Sequence, residues 1–287
     1  MDIFATPWGA ALFGLSGGVL AFIALLIIWV VVLWHPRPLV RLLPNRPLLL
    51  GHRGVRLADG PPENSLAAFR RAFSAGLDGA ECDVQQSADG VLVIYHDETL
   101  PDGRTLRSVT FKELRDALPE LATVDELFGL MKEYPDVLLN LELKVYGRDS
   151  GGLEPRLARA IFKAELPTRV LVSSFNPLAL ARFRLAASGI RVALLTDPNR
   201  AWWLQRSVFA GLLHVDALHP HHSQVTPERL AAAHTRGLMV NVWTVNDPER
   251  QHELARLGVD ALIADDPATL TRLRSGLEPP TAHTESS

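Results

Sequence analysis

The sequence predicts an α/β protein, a TIM (β/α)8 barrel with a short insertion, preceded by one N-terminal transmembrane helix. From residue 47 onward, short β-rich runs alternate with amphipathic helical stretches, the pattern of a parallel sheet with crossover helices. Eight such units fit into about 230 residues, the usual span of a closed barrel. Between Trp8 and Trp34 no side chain is charged, which at ~1.5 Å per residue is enough helix to cross a ~30 Å hydrocarbon layer with tilt.

Residues 1–34 read as the anchor. Only Asp2 is charged ahead of the apolar run, which argues against the basic start of a cleaved leader. Trp8 and Trp34 suit the membrane interface and Trp29 the bilayer core. Arg37, Arg41 and Arg46 follow closely, so the positive-inside rule describes a single-pass membrane protein with its C-terminal domain in the cytoplasm. Residues 35–46 carry Pro36, Pro38 and Pro44 and read as a membrane-proximal linker. The barrel occupies 47–274, and the polar, aperiodic stretch 275–287 reads as a disordered tail.

Barrel strands are predicted at 48–52, 80–85, 138–144, 170–174, 192–195, 217–219, 238–242 and 261–264. Helices are predicted at 65–75, 124–133, 154–164, 177–187, 201–210, 227–236, 248–257 and 267–274. Several open on proline, which a first helical turn accepts because its N–H would have no partner anyway. No G-x-G-x-x-G follows the first strand, so nothing supports dinucleotide binding. A net charge of −3 gives no basic field for nucleic acid. The single Cys82 excludes an internal disulfide framework and a cysteine-rich zinc site.

In such a barrel, chemistry belongs at the C-terminal strand ends. His52 ends the first strand. Glu81 and Asp83 share one face of the second, and Asn140, Glu142 and Lys144 share one face of the third, because side chains alternate along a strand. Three carboxylates in a barrel mouth are costly to bury unless a cation offsets them. The tip Asp89-Gly90 predicts a two-residue type I′ hairpin, whose register sets Asp83 opposite His96.

The ordered set "HRG", "PENS", "ECDV", "DG", "YHD", "LELK", "SSFNP", "NVWTVND" and "GVDALIADDP" resembles the glycerophosphodiester phosphodiesterase family over 47–273. Departures are small: Ser65 stands where threonine is commoner, and the insertion at 97–121 is short. The resemblance implies hydrolysis of glycerophosphodiesters to glycerol 3-phosphate and an alcohol. It implies His52 and His96 as the acid–base pair, Glu81, Asp83 and Glu142 as ligands of one divalent cation, and Arg53 and Lys144 as phosphate contacts.

The residue types suit that chemistry on their own terms. A phosphodiester needs its nonbridging oxygens neutralised, a nucleophile deprotonated and a leaving alkoxide protonated. Two histidines can divide the proton work near neutral pH. An oxygen-only ligand set favours Mg2+ or Ca2+ over Zn2+. Glu63 either caps the following helix or supports the metal shell. Trp243 either packs the barrel top or walls the glycerol, Asp265 caps or braces the last loop, and His214, His219, His221 and His222 read as a polar loop with only His219 facing the mouth. The anchor makes a second substrate class reasonable: lysophospholipids, with the acyl chain lying in a groove towards the bilayer near Trp202, Trp203 and Phe209, although these residues could equally pack on the barrel wall. A membrane-tethered non-catalytic binding module is the third reading. Oligomeric state is left open.

Overall fold

The computed structural model describes residues 19, 21, 22, 24, 25, 28, 29, 33–37, 46–200 and 209–277. Ten strands follow in chain order among them: β1 (Leu48–Gly51), β2 (Gly79–Gln86), β3 (Leu92–Ile94), β4 (Ala122–Thr123), β5 (Leu138–Leu143), β6 (Val170–Ser174), β7 (Arg191–Thr196), β8 (Ala217–Pro220), β9 (Met239–Val242) and β10 (Ala261–Ala264). Eight of them pair in parallel in the order β1-β2-β5-β6-β7-β8-β9-β10, and β10 returns to β1. The ring is therefore closed. Its described helices are α1 (Leu66–Ser74), α2 (Phe111–Ala117), α3 (Val124–Leu130), α4 (Leu153–Lys163), α5 (Pro177–Ala186), α6 (Pro227–Thr235), α7 (Pro248–Leu257) and α8 (Pro267–Leu277).

Alternation along the strands divides the core in two. Leu48, Leu50, Leu171, Ala193, Ala217, Met239, Ala261 and Ile263 fill the barrel interior, while Leu49, Val172, Leu194 and Leu262 face outward to the helices. Phe69 of α1 and Phe183 of α5 are fully buried in that outer layer, each worth about 1.5–3 kcal/mol of burial. Helix starts are fixed by side chains: Ser65 accepts from the Ala68 N–H at 3.2 Å, and Thr110 with Glu113 and Thr123 with Glu126 form reciprocal capping boxes, each cap worth about 1 kcal/mol. The insertion after β3 has its own small core of Val93, Leu100, Leu106, Val109, Leu114 and Leu121.

The hairpin corrects the predicted register by one residue. Val84 pairs with Ile94, Gln85 with Val93 and Gln86 with Leu92. Residues 88–90 form a three-residue loop between Ser87 and Val91, joined by the Ser87 N–H to the Val91 carbonyl at 3.0 Å. Gly90 takes a φ of 82°, as the left-handed residue of such a loop must. Asp83 therefore faces Tyr95, whose N–H donates to its carbonyl at 2.9 Å, and His96 lies just beyond the paired residues, free of strict alternation.

The membrane placement is also corrected. Among the described residues no helix is long and apolar enough to cross a membrane. Residues 1–18 and much of the predicted anchor lie outside the described residues. Those described near its end bond to the barrel instead. Trp29 Nε1 donates to the Leu212 carbonyl at 3.1 Å, Trp34 Nε1 donates to the Val215 carbonyl at 2.9 Å, and the Trp29 ring stacks on His214 at 4.1 Å. Arg37 pairs with Asp216 at 3.0 Å and Arg46 with Asp78 at 2.8 Å. Two of the charges taken as a topology signal are thus ion-pair partners within the domain, and Arg41 lies outside the described residues. The cytoplasmic assignment falls with the span. Trp202, Trp203 and most of the predicted helix 201–210 also lie outside the described residues, and Phe209 and Ala210 sit in a turn. At the other end α8 runs on to Leu277, into the predicted tail, and residues 278–287 lie outside the described set.

Candidate active site

β1 is fully buried, and the chain must turn sharply where it leaves the barrel. Arg53 adopts a φ of 51° and Gly54 of 79°, and a Cβ on Gly54 would meet the Ala68 backbone at 2.7 Å, so only glycine fits. That turn aims the Arg53 N–H at Glu81 Oε2, 3.0 Å away. The loop that follows is tied to the same place: Glu63 accepts from Arg53 Nη1 at 2.6 Å, and Asn64 donates to Asp83 Oδ2 at 2.8 Å. Ser65, not Glu63, caps α1. Glu63 instead pairs with Arg53 and Arg56.

Glu81 and Asp83 on β2 and Glu142 on β5 are buried, with carboxylate oxygens all within 4.8 Å of one another. The parallel register sets Asp83 beside Glu142. Lys144 Nζ lies 3.0 Å from Asp83 and 2.9 Å from Glu142, and Arg53 Nε lies 3.3 Å from Asp83. Among the described residues no Lys or Arg side chain lies that close to Glu81; His52 Nε2 is 3.9 Å away. The electrostatics follow. Burial, then repulsion from Asp83 and Glu142, push Glu81 well above the usual carboxylate range. Burial and Asp83 also raise Glu142, although Lys144 opposes them. Burial works against Asp83 too, but Lys144 and Arg53 hold it below its ordinary value. Three hard oxygen donors carrying more negative charge than their neighbours neutralise form a cluster that could hold a divalent cation.

Both histidines line the same cavity, of about 220 Å3, as this trio, Arg53 and Lys144. Each is oriented by a carboxylate at Nδ1: His52 by Asp265 at 2.6 Å and His96 by Asp97 at 2.7 Å. A carboxylate at Nδ1 fixes that nitrogen as the N–H and leaves Nε2 as the atom able to exchange a proton. Asp265 is itself held by Asn246 Nδ2 at 2.6 Å, and the Tyr146 hydroxyl donates to the His96 carbonyl at 2.7 Å.

The model of the glycerophosphoryl diester phosphodiesterase family matches residues 52–269. The chain belongs to the glycerophosphoryl diester phosphodiesterase family. As a member it is an enzyme, a phosphoric diester hydrolase acting on glycerophosphodiesters. A glycerophosphodiester phosphodiesterase of Caldanaerobacter subterraneus is 32% identical over 246 residues, covering 79% of this chain and 98% of the relative. One from Bacillus altitudinis is 28% identical, covering 80% and 99%. Among solved structures, a glycerophosphodiester phosphodiesterase of Parabacteroides distasonis superposes with a TM-score of 0.68 at 27% identity, covering 81% of this chain and all of that one. A phosphodiesterase of Oleispira antarctica, solved in complex with the product sn-glycerol-3-phosphate, gives 0.67 at 26% identity, covering 80% and 97%.

The remaining cavity wall of the phosphodiesterase comes from Phe175, Leu195, Asp197, Arg200, Trp243 and Ile263. Trp243 closes the far side, its Nε1 donating to the His219 carbonyl at 2.7 Å, and it meets Phe175 edge-on at 5.5 Å. His219 lies on the inward face of β8 with Ala217 but does not line the cavity. It is fully buried, bonded to Asn241 at 2.8 Å, and burial lowers it to about 3, so it stays neutral. His214 stacks on Trp29, while His221 meets the Trp243 ring edge-on at 5.4 Å. Sequence reasoning placed Asn140 on the inward face with Glu142 and Lys144, where it lines the cavity, but missed Asn64, Asp97, Phe175, Asp197 and Arg200, and gave Asp265 only a capping or bracing role. Position was the available signal: Phe175 and Asp197 directly follow barrel strands, and Asp97 directly follows His96.

Proposed function

We propose that this phosphodiesterase hydrolyses glycerophosphodiesters by a metal-assisted mechanism in which His52 and His96 share the proton transfers. The observation that carries the reading is the pairing of two carboxylate-oriented histidines with a buried acidic trio in one cavity. The trio passes a test of fit for a divalent cation: Glu81 is pushed up by burial and by its neighbours, and all three donors are hard oxygens. Glu81, Asp83 and Glu142 would hold Mg2+ or Ca2+. When bound, the ion supplies charge neutralisation on the nonbridging oxygens of the diester.

The chain's own groups do the rest. Arg53 offers a planar fork and Lys144 a point charge to the phosphate. One histidine takes a proton at Nε2 from the nucleophile, either water or the substrate's own glycerol hydroxyl forming a cyclic phosphate that water then opens, and the other gives one at Nε2 to the departing alkoxide. Asp265 and Asp97 keep both rings in the tautomer that permits this. Trp243 bounds the far wall, and Glu63 supports Arg53. Release of sn-glycerol 3-phosphate is supported by the product bound in the Oleispira antarctica relative.

Lysophospholipid turnover rested on the anchor, which the described residues do not supply, and on Trp202 and Trp203, which lie outside the described residues, so no observation favours it. The test is purified protein assayed on glycerophosphodiesters with Mg2+ or Ca2+. The trio, the histidines and the family membership predict release of glycerol 3-phosphate that stops on chelation. Turnover unchanged by chelation would remove the metal from the reading.

A further inference from the structure

The cavity has two unlike halves. One is charged: Glu81, Asp83, Glu142, Arg53 and Lys144 with the two histidines. The other is aromatic, with Phe175 at the end of β6 and Trp243 at the end of β9 in edge-to-face contact. Two aromatic rings at such an angle form the start of a cage for a quaternary ammonium, which binds to ring faces through the negative potential above them. Here the face of Phe175 is taken. The guanidinium carbon of Arg200 sits over it, 4.2 Å from the ring centroid. The Arg200 backbone N–H also bonds back to the Asp197 carbonyl at 3.2 Å, so the side chain springs from a turn anchored at the end of β7.

We propose that Arg200, by occupying the face of Phe175, makes the enzyme discriminate against diesters of quaternary ammonium alcohols such as choline and favour those of hydroxylated alcohols such as glycerol. This rests on the reading above, in which Arg53 and Lys144 contact the phosphate and the acidic trio holds the cation; the alcohol arm of the diester is then placed against the Phe175 wall of the same cavity. A choline arm arriving there meets a cation in the seat it would use. The Phe175 face on which it would stack is occupied, and a quaternary ammonium cannot hydrogen-bond to compensate. A polyol arm meets the Asp197 carboxylate, which can accept from a hydroxyl, and a guanidinium, which can donate to one. Discrimination then comes from an obstacle placed against the wrong substrate as much as from contacts with the right one. Removing Arg200 would open the face of Phe175, which favours choline.

The experiment measures kcat/KM for glycerophosphocholine and glycerophosphoglycerol in parallel, with the same divalent cation, for four proteins. Wild type favours the glycerol diester. Arg200→Ala shifts the choline-to-glycerol ratio upward by roughly 3- to 30-fold, the range a cation–ring contact spans. Arg200→Lys, which keeps a cation able to lie over Phe175, holds the ratio near that of wild type. Adding Phe175→Leu to Arg200→Ala cancels most of the gain, because the seat itself is gone. A ratio unmoved by Arg200→Ala, or an equal loss on both substrates, overturns the proposal while leaving the phosphodiesterase reading intact. If wild type turns over neither diester, that reading fails and this proposal falls with it.

Discussion

Two ends of the same barrel treat buried carboxylates in opposite ways. At the N-terminal face, Asp216 is only 1% exposed and is answered from every side: Arg37 Nε and Arg184 Nη2 at 3.0 Å each, and the backbone N–H groups of Arg37 at 2.9 Å and Val192 at 3.0 Å. Asp78 is matched there by Arg46 at 2.8 Å and Arg274 at 2.9 Å. At the C-terminal face, three carboxylates share Lys144 and Arg53, and Glu81 is left with a backbone N–H. The residue chemistry is the same, but the compensation differs. Asp216 is pushed up by burial and pulled further down by Arg37 and Arg184, ending below its ordinary value, whereas Glu81 ends well above. A buried charge fully met by its own chain is structural, and one left short has room for a ligand.

The largest effect should come from the C-terminal end. His52→Ala or His96→Ala is expected to lower kcat/KM by ~10²- to 10⁴-fold while thermal unfolding of the chelated protein shifts by only a few degrees. Assaying turnover and melting on one preparation checks both halves, and near-normal turnover in both variants would contradict the roles assigned to them. The N-terminal face should show the reverse pattern. Asp216→Asn leaves Arg37 and Arg184 facing a neutral amide and should cost about 3 kcal/mol in urea unfolding with little change in turnover per folded molecule. Glu81→Gln, measured in chelator, should cost nothing or stabilise, because it removes a repelled charge. If Glu81→Gln proved as destabilising as Asp216→Asn, the contrast between the two ends would disappear.

A third expectation concerns acid. The folded-state value of Asp216 lies below its ordinary 3.8, so the unfolded chain takes up that proton first as pH falls. The stability it contributes is present above about pH 4 and is lost as pH drops through the depressed folded value. Urea unfolding between about pH 5 and pH 2 should therefore be steeper in wild type than in Asp216→Asn; equal slopes would show that this carboxylate is not held as its partners suggest. The smallest effect belongs to a site feature with no charge. Ser65→Ala removes the α1 cap and should cost about 1 kcal/mol, with Ser65→Thr retaining most of it.

Much of this was legible in the sequence because strands carry a period of two. Alternation put Glu81 with Asp83 and Glu142 with Lys144 on inward faces, and the break of the apolar run after Leu50 marked His52 as a strand-end residue. What stayed hidden depends on closure of the ring. His52 meets Asp265 only because β10 pairs with β1, bringing together residues 213 positions apart, and no local pattern encodes that. The hairpin register failed for a smaller reason: an Asp-Gly tip is compatible with two-residue and three-residue loops, and one extra residue shifts every partner. The N-terminal misreading has the same physical root as the hidden Asp265. Trp34 and Arg37 are, by sequence alone, an interfacial aromatic and a basic flank; their partners Val215 and Asp216 lie some 180 positions away.

The most direct measurement of the central claim is calorimetric titration of chelated wild-type protein and Glu81→Gln with Mg2+ and Ca2+, with release of glycerol 3-phosphate from a glycerophosphodiester followed on the same samples. One bound ion per wild-type chain, with turnover rising along the binding curve and both lost in Glu81→Gln, is the predicted result. Full turnover by wild type at metal concentrations where no ion is bound would contradict it.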